Sequence, residues 1–206
     1  TASNYRENYV EVPDNNEPIS VTPLYTDVGF WKVFTFRFLH GKPFTQADID
    51  AKRREVVLPV SVARKLFATD DVVGRRFNMD AQEYRVCGVV EDVSAATPSS
   101  VGDMWLPITL NSWVTSDATG KLVGSVGIYM TAPDAEDKEA LKEEVREVFR
   151  KLNLASDKYM NDLMGQPDDY WASTFRFDSC SAPDLASELR MYLYMLLACL
   201  LYTSDA

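Results

Sequence analysis

Histidine is nearly missing from this sequence: His40 stands alone among 206 residues. With no second imidazole and no neighbouring thiol it makes a poor metal ligand, and beside Gly41 it reads as a turn residue. Cysteine is almost as scarce. Cys87, Cys180 and Cys199 can supply neither a disulfide framework nor a spaced zinc site. Cys87 falls in an apolar strand pattern and Cys199 in an apolar C-terminal run, so buried free thiols are expected, with a Cys87–Cys180 bridge left open. Positive charge is short as well. Lys and Arg number 21 against 31 Asp and Glu, for a net charge of −10. That balance argues against a phosphate backbone as partner and against the headgroups of an anionic leaflet.

Long apolar runs are also absent. The longest uncharged greasy stretch is the twelve residues from Met191 to Tyr202, "MYLYMLLACLLY". As a helix it reaches roughly 18 Å, whereas a bilayer core needs about 20 apolar residues. It is too short to span a membrane, yet apolar on every face and so unlike an ordinary surface helix. The chain opens on "TASNYRENYV", without the basic and apolar regions of a signal peptide. Two readings follow: a cytosolic protein, or a piece whose targeting part lies upstream. The terminal run favours the second.

What is present is ordinary globular material: 46% hydrophobic and 25% charged residues place the chain outside the disordered and fibrous classes. From Tyr5 to Tyr25, short β-like patches are interrupted by Pro13, Pro18 and Pro23, which confine them to edge strands and turns. Asp27 is placed to cap a short helix carrying Phe30, Val33 and Phe34, which leads to a turn at Gly41–Pro43. A buried strand is expected at Val56–Leu58, a helix near Ser61–Phe67, and two strands, Arg76–Met79 and Tyr84–Val93, joined by a turn at Asp80–Gln82. Gly88 inside the second strand suggests a bulge or a close backbone approach. Further strands are expected at "MWLPITL", at "KLVGSVGIYMTA", where Val126, Ile128 and Met130 alternate with Gly127 and Tyr129, and at "WASTFRF".

The clearest helix lies between them. In "DAEDKEALKEEVREVFRKL", Leu141, Val145, Val148, Phe149 and Leu152 form one stripe, with acids leading and bases trailing as the macrodipole prefers. A final helix, with Ser181 or Asp184 near its cap, changes from amphipathic to uniformly apolar near Arg190. A helix that changes solvent in mid-course is leaving a water-facing domain for a bilayer.

No chemistry assembles from these residues. Glu91–Asp92 is the best carboxylate pair, but adjacent strand residues face opposite ways, and a partner such as Asp103 or Asp178 would have to come from elsewhere. "VVGRRF" offers one glycine and no phosphate cradle. Ser61, Ser94 and Ser125 lack a nucleophile-elbow context. Phe30, Trp31, Phe34, Phe36 and Phe38 could form a ligand platform, although packing between lobes is the simpler use. The interleaved charges of residues 135–151 sit opposite an apolar stripe and read as a solvated helix face.

Two stretches carry a resemblance: "FWKVFTFRFLHGKPFT" and "VVLPVSVARKLFATDDVVGRRFNMDAQEYRVCGVVEDVS". With Phe30, Phe34, Leu39, Gly41, Phe44, the Val56–Val57 strand, Ala63 to Phe67, Gly74 and the run from Tyr84, they cover roughly Asp27 to Ser94. This pattern resembles the periplasmic core domain of MacB-like ABC transporter permeases, in the FtsX-like permease group. Two departures stand out: Pro59, where the family usually opens a helix with a small polar residue, and Ala68, where a glycine often ends it.

The resemblance implies an α+β fold: a two-lobed extracytoplasmic domain with βαβ units near the membrane and an inserted mixed α/β lobe. Residues 1–190 would be the core domain, with the inserted lobe at about 27–95. The membrane-proximal lobe would take about 96–180 plus the N-terminal strands, and 191–202 would be the truncated start of a transmembrane helix. The implied role is transmission of ATP-driven motion to periplasmic substrates or partners. The implied partners are a cytoplasmic ABC ATPase, a second permease copy in a homo- or heterodimer, and a periplasmic adaptor or lipoprotein. The implied place is the bacterial inner membrane, with this domain in the periplasm. No catalytic, cofactor-binding or metal-binding residue is expected in it. The rival expectation is a free-standing soluble binding module whose apolar tail is buried.

Overall fold

The computed structural model describes residues 2–3, 8–12, 15–94, 97, 99–115, 126–155, 167–169 and 185–204. It divides into two compact units, Thr1–Thr131 and Ala132–Ala206. The first is built on a sheet, the second on helices, and the chain as a whole has the mixed α+β character expected.

Nine strands among the described residues form the sheet. They are β1 (Ala2–Ser3), β2 (Asn8–Val12), β3 (Asn15–Val21), β4 (Pro23–Thr26), β5 (Phe38–Gly41), β6 (Glu55–Pro59), β7 (Arg76–Met79), β8 (Gln82–Val90) and β9 (Met104–Pro107). Their order is β1-β4-β9-β6-β8-β7-β2-β3, with β5 pairing β8 off this path. β6 runs parallel to β8, and β4 to β9; the remaining pairs are antiparallel. Within this unit lie α1 (Phe30–Val33), α2 (Gln46–Asp50), α3 (Val60–Phe67), a 3-10 turn at Ile108–Leu110 and α4 (Ser112–Thr115).

The apolar run "VVLP" is explained by burial on both faces. Val56 and Leu58 point to one side, where Val86, Met104, Leu106 and the α3 residues Ala63 and Leu66 pack. Val57 points to the other, against Trp105, Val90, Phe30, Phe44 and Ile49. Period-two alternation with both faces covered gives a continuous hydrophobic strand.

Several sequence expectations hold closely. Strand β7 has the expected limits, and β6 and α3 each match to within two residues. The β7–β8 hairpin turns on Asp80 and Ala81, both at positive φ (51° and 59°), the conformation of a primed two-residue turn. Pro18 lies in edge strand β3 and Pro23 opens β4, both positions where a missing N–H is tolerated. Strand β4 itself, however, is flanked by β1 and β9 and is not an edge. Ala68 ends α3 in the left-handed conformation (φ 58°) that glycine usually supplies there.

Other expectations are corrected. Of the strand expected at residues 121–132, residues 121–125 lie outside the described residues; residues 126–131 do not form a strand, since Val126 makes an isolated bridge and Ile128 is 78% exposed. Strand β8 stops at Val90 rather than Val93, and α1 is a single turn because Phe34 is already extended. Helix α2 has no sequence-level counterpart above, although Thr45 and Asp48 form a reciprocal capping box that fixes its start.

The second unit contains α5 (Ala135–Ala155) and α6 (Leu185–Ser204). Asp134 caps α5 by accepting from the Asp137 N–H at 2.9 Å. Its exposed face is laced by i,i+3 pairs: Lys142–Glu139, Arg146–Glu143 and Arg150–Glu147. On its apolar stripe Val148 and Leu152 are 53% and 37% exposed. Along α6, leucines from Leu193 to Leu201 line one face at 46% exposure or more, and Tyr194, Met195 and Tyr202 are exposed on the others. No helix among the described residues is long and apolar enough to cross a membrane. The expected strand at residues 171–177, Cys180 and the caps Ser181 and Asp184 lie outside the described residues.

Candidate functional site

The carboxylates singled out in the sequence are held apart, each on its own task. Glu91 pairs with Arg37 at 2.9 Å. Asp92 accepts the Ser61 N–H at 3.0 Å. It thereby supplies the cap that α3 cannot draw from Pro59. Asp103 accepts the Thr22 N–H at 2.7 Å, tying the start of β9 to that of β4. Each of the three is thus engaged by a different partner. Asp178 and Ser125 lie outside the described residues, and the Ser94 carbonyl accepts the Thr97 hydroxyl at 2.7 Å in a local turn.

His40 sits on β5 rather than in a turn, 3.8 Å from Asp70, whose other oxygen is bound by Arg64. The Arg64 hydrogen bond holds the Asp70 carboxyl below its ordinary range. Cys87 is a free thiol that donates to the Val56 carbonyl at 3.3 Å. Burial pushes its pKa up to about 12, with Glu55 and Asp48 adding to the effect. At neutral pH it is protonated and a poor nucleophile.

Charge on the β6–β8–β7 surface is arranged as a row. Glu55 lies opposite Arg85 in the parallel ladder, and Arg85 lies opposite Arg76 in the antiparallel one. Arg85 grips Glu55 with Nε and Nη2, and Arg76 pairs with Glu83 at 2.7 Å. Each cation therefore has an anion, and the row offers no surplus charge to a ligand.

The aromatic residues do come together. The Trp31 ring lies 5.3 Å from Phe30, 5.1 Å from Phe36, 5.6 Å from Phe38, 5.7 Å from Phe44 and 6.0 Å from Trp105. Phe34 packs on Phe30 at 4.9 Å and receives Tyr129 at 5.2 Å. Edge-to-face contacts predominate, as ring quadrupoles prefer. The cluster covers one face of the sheet, so its principal use is packing. Trp105 Nε1 donates to the Ser100 carbonyl at 3.2 Å. Trp31 Nε1 is buried without a partner among the described residues. Trp105 and Tyr129 were not identified from sequence as members; Trp105 was legible only as part of an apolar strand.

Two glycines hold this aromatic segment to the sheet. A Cβ on Gly41 (φ 68°) would lie 2.2 Å from the Cys87 carbonyl oxygen, and one on Gly88 would lie 2.8 Å from that of Lys42. Strands β5 and β8 approach so closely there that only hydrogens fit. The bulge expected at Gly88 is present: β6 pairs Val56 with Val86 but Val57 with Gly88, skipping Cys87.

The sequence matches a family described as the MacB-like periplasmic core domain over residues 2–148, which takes in the whole sheet and most of α5. Among solved structures, the periplasmic region of MacB from Actinobacillus actinomycetemcomitans shares the fold at 17% identity and a TM-score of 0.54. That match covers 73% of this chain and 65% of the other, so this chain spans less than two thirds of that region. The extracellular domain of the noncanonic ABC-type transporter YknZ from Gram-positive bacteria matches at 19% identity and a TM-score of 0.53, covering 75% of this chain and 73% of that one. No curated protein matches the sequence.

Proposed function

This chain belongs to the MacB-like periplasmic core domain family, and from that premise we propose that it transmits ATP-driven motion of a permease's membrane helices to periplasmic substrates or partners. The observation that carries the reading is the family match across residues 2–148, which includes the sheet, the aromatic segment and the leading part of α5. The domain itself does no chemistry; ATP is hydrolysed by a separate or fused cytoplasmic ABC ATPase. A second permease copy completes the membrane assembly, and a periplasmic adaptor or lipoprotein receives the work. The chain then sits in the bacterial inner membrane with residues 1–190 outside the cytoplasm. Within them, 27–95 form the inserted lobe and 96–180, with the N-terminal strands, the membrane-proximal one.

Helix α6 supports the membrane connection. Residues 191–202 carry no charge, and the leucines among Leu193–Leu201 are 46–69% exposed. A surface of that kind fits lipid better than water, and 191–202 is read as the beginning of a span. The same exposure weighs against a free-standing module with its tail in a core. Inserting a flexible Gly/Ser stretch near Ser187–Arg190 tests the transmission role: transport should be lost while ATP binding persists. Normal transport by that insert would refute it. Deleting Met191–Ala206 tests the rival, because removing a core tail would unfold the domain by several kcal/mol, on the order of other large core deletions.

A further inference from the structure

Between Asp27 and Asp48 lies the longest stretch of the chain without an acidic residue. In a protein of net charge −10, residues 28–47 carry Lys32, Arg37 and Lys42 and no carboxylate. These cations are interleaved with the aromatic cluster. Lys32 follows Trp31, Arg37 lies between Phe36 and Phe38, and Lys42 stands two residues before Phe44. The Phe36, Phe38 and Phe44 rings lie 5.1, 5.6 and 5.7 Å from that of Trp31, so the ring contacts gather the three cations around one cluster. The cluster has an inner and an outer side. Phe30, Phe44 and Trp105 are buried; Trp31, Phe34, Phe36 and Phe38 are only half-buried, and the three cations are exposed.

The acids that border this stretch are already engaged. Asp27 accepts the Phe30 N–H at 2.9 Å, and Asp48 caps α2 and holds Arg53. Glu91 pairs with Arg37 in the open, with 47% and 76% of the two side chains exposed, so the pair exchanges partners at little cost. Lys32 and Lys42 have no anionic partner among the described residues. We propose that the outer side of the aromatic cluster docks an acidic segment of a partner protein. Its apolar side chains would lie on the half-exposed rings and its carboxylates would meet Lys32, Lys42 and Arg37. A protein fits better than a lipid surface, because the net charge of the chain opposes approach to an anionic leaflet. The inference rests on the reading above for its purpose, since there a partner receives the work, but not for the binding itself.

Fluorescence anisotropy of a labelled peptide alternating Glu and Leu, titrated with the 206-residue chain, tests the docking. That peptide should bind, and peptides alternating Lys and Leu or Glu and Ser should not. Lys32→Glu combined with Lys42→Glu should weaken binding roughly tenfold, the joint effect of reversing two exposed charges, and Lys32→Arg with Lys42→Arg should keep it within about twofold. Both pairs of changes fall at exposed positions, so the melting midpoint should stay in place. No binding of the Glu–Leu peptide overturns the docking surface, and so does binding that the charge reversals leave unchanged. Binding to phosphatidylglycerol vesicles without binding to the peptide also overturns it, since the patch then meets lipid. Any of these results, with transport abolished by the Gly/Ser insert at Ser187–Arg190, leaves the transmission role standing. Peptide binding that depends on Lys32 and Lys42, with normal transport by the insert, keeps the surface and removes that role.

Discussion

Glu55 and Arg85 are Cα partners in the parallel β6–β8 ladder, and the Arg85 guanidinium closes on the Glu55 carboxylate at 2.6 Å from Nη2 and 3.0 Å from Nε. The carboxylate side chain is 7% exposed and the arginine 52%. The pair is lopsided: a nearly buried anion held by a half-solvated cation. Removing the cation should therefore cost more than the pair contributes. Arg85→Ala is expected to destabilise the fold by about 2–3 kcal/mol, below the range for fully buried pairs because water can still reach the site. Glu55→Gln should cost about 1 kcal/mol. Urea unfolding of both variants checks the order; an equal or reversed order would refute the asymmetry.

Ala68 is a side chain in a glycine position. At φ 58° its Cβ crowds the following carbonyl, yet its N–H still closes α3 on the Arg64 carbonyl at 2.9 Å. Ala68→Gly should stabilise the protein by roughly 0.5–1 kcal/mol, read as a higher unfolding midpoint. A lower midpoint would show that no strain is stored there.

Asp48 should set part of the acid limb of stability. Burial pushes its carboxyl up, but hydrogen bonds from the Thr45 hydroxyl and N–H and from Arg53 outweigh that and hold it below its ordinary value of 3.8. A depressed folded pKa stabilises above the unfolded value. Its contribution is thus complete above pH 3.8 and is lost as pH falls through the lower folded value. Asp48→Asn should cost about 1 kcal/mol at neutral pH and flatten stability against pH below 3.8. Parallel acid limbs in the two proteins would remove Asp48 from the account.

Cys87 and Cys199 should differ sharply toward alkylating reagents. Cys199 is exposed on α6, whereas Cys87 is protonated well beyond pH 8 and shielded. Peptide mass mapping after mild alkylation at pH 8 should find Cys199 modified and Cys87 intact until urea is added. Early modification of Cys87 would mean that β5 opens readily from β8.

Gly41→Ala should be the most damaging small substitution in the sheet. The new methyl meets a backbone oxygen at 2.2 Å, with no flexible side chain to yield, at a positive φ. A loss of roughly 3 kcal/mol or more is expected from the clash and strain together. Circular dichroism melting would show it, and a loss under 1 kcal/mol would require β5 to shift.

Much of the sheet unit could be read from the sequence because its signals are local. The "VVLP" run, the Arg76–Met79 and Tyr84–Val93 alternation (which runs three residues past the strand's end at Val90) and the Leu66 face of α3 each declare themselves within a few residues. Long-range facts could not be read this way. Nothing near Trp105 announces that it meets Trp31 and Phe36, since that contact depends on β9 pairing with β6. Residues 126–131 show the limit of a local signal: their period-two pattern is genuine, yet beyond the bridge at Val126 they are not a strand. The short α2 was hidden because a five-residue helix has too few turns to show a period, although Thr45 and Asp48 spelled out its cap. Glu91 and Asp92 lie past the end of β8, and the structure adds what each one holds: Arg37 and the Ser61 N–H.

Strand β8 is shared unevenly. One edge runs along β6, while the other is divided between β7 over its first half and β5 over its last. A tug on β5 along the strand axis would load its rungs side by side, together with the wedged glycines, rather than peeling them one at a time. The aromatic segment is thereby moored against sliding, and it would travel with the sheet as freight before it tore loose.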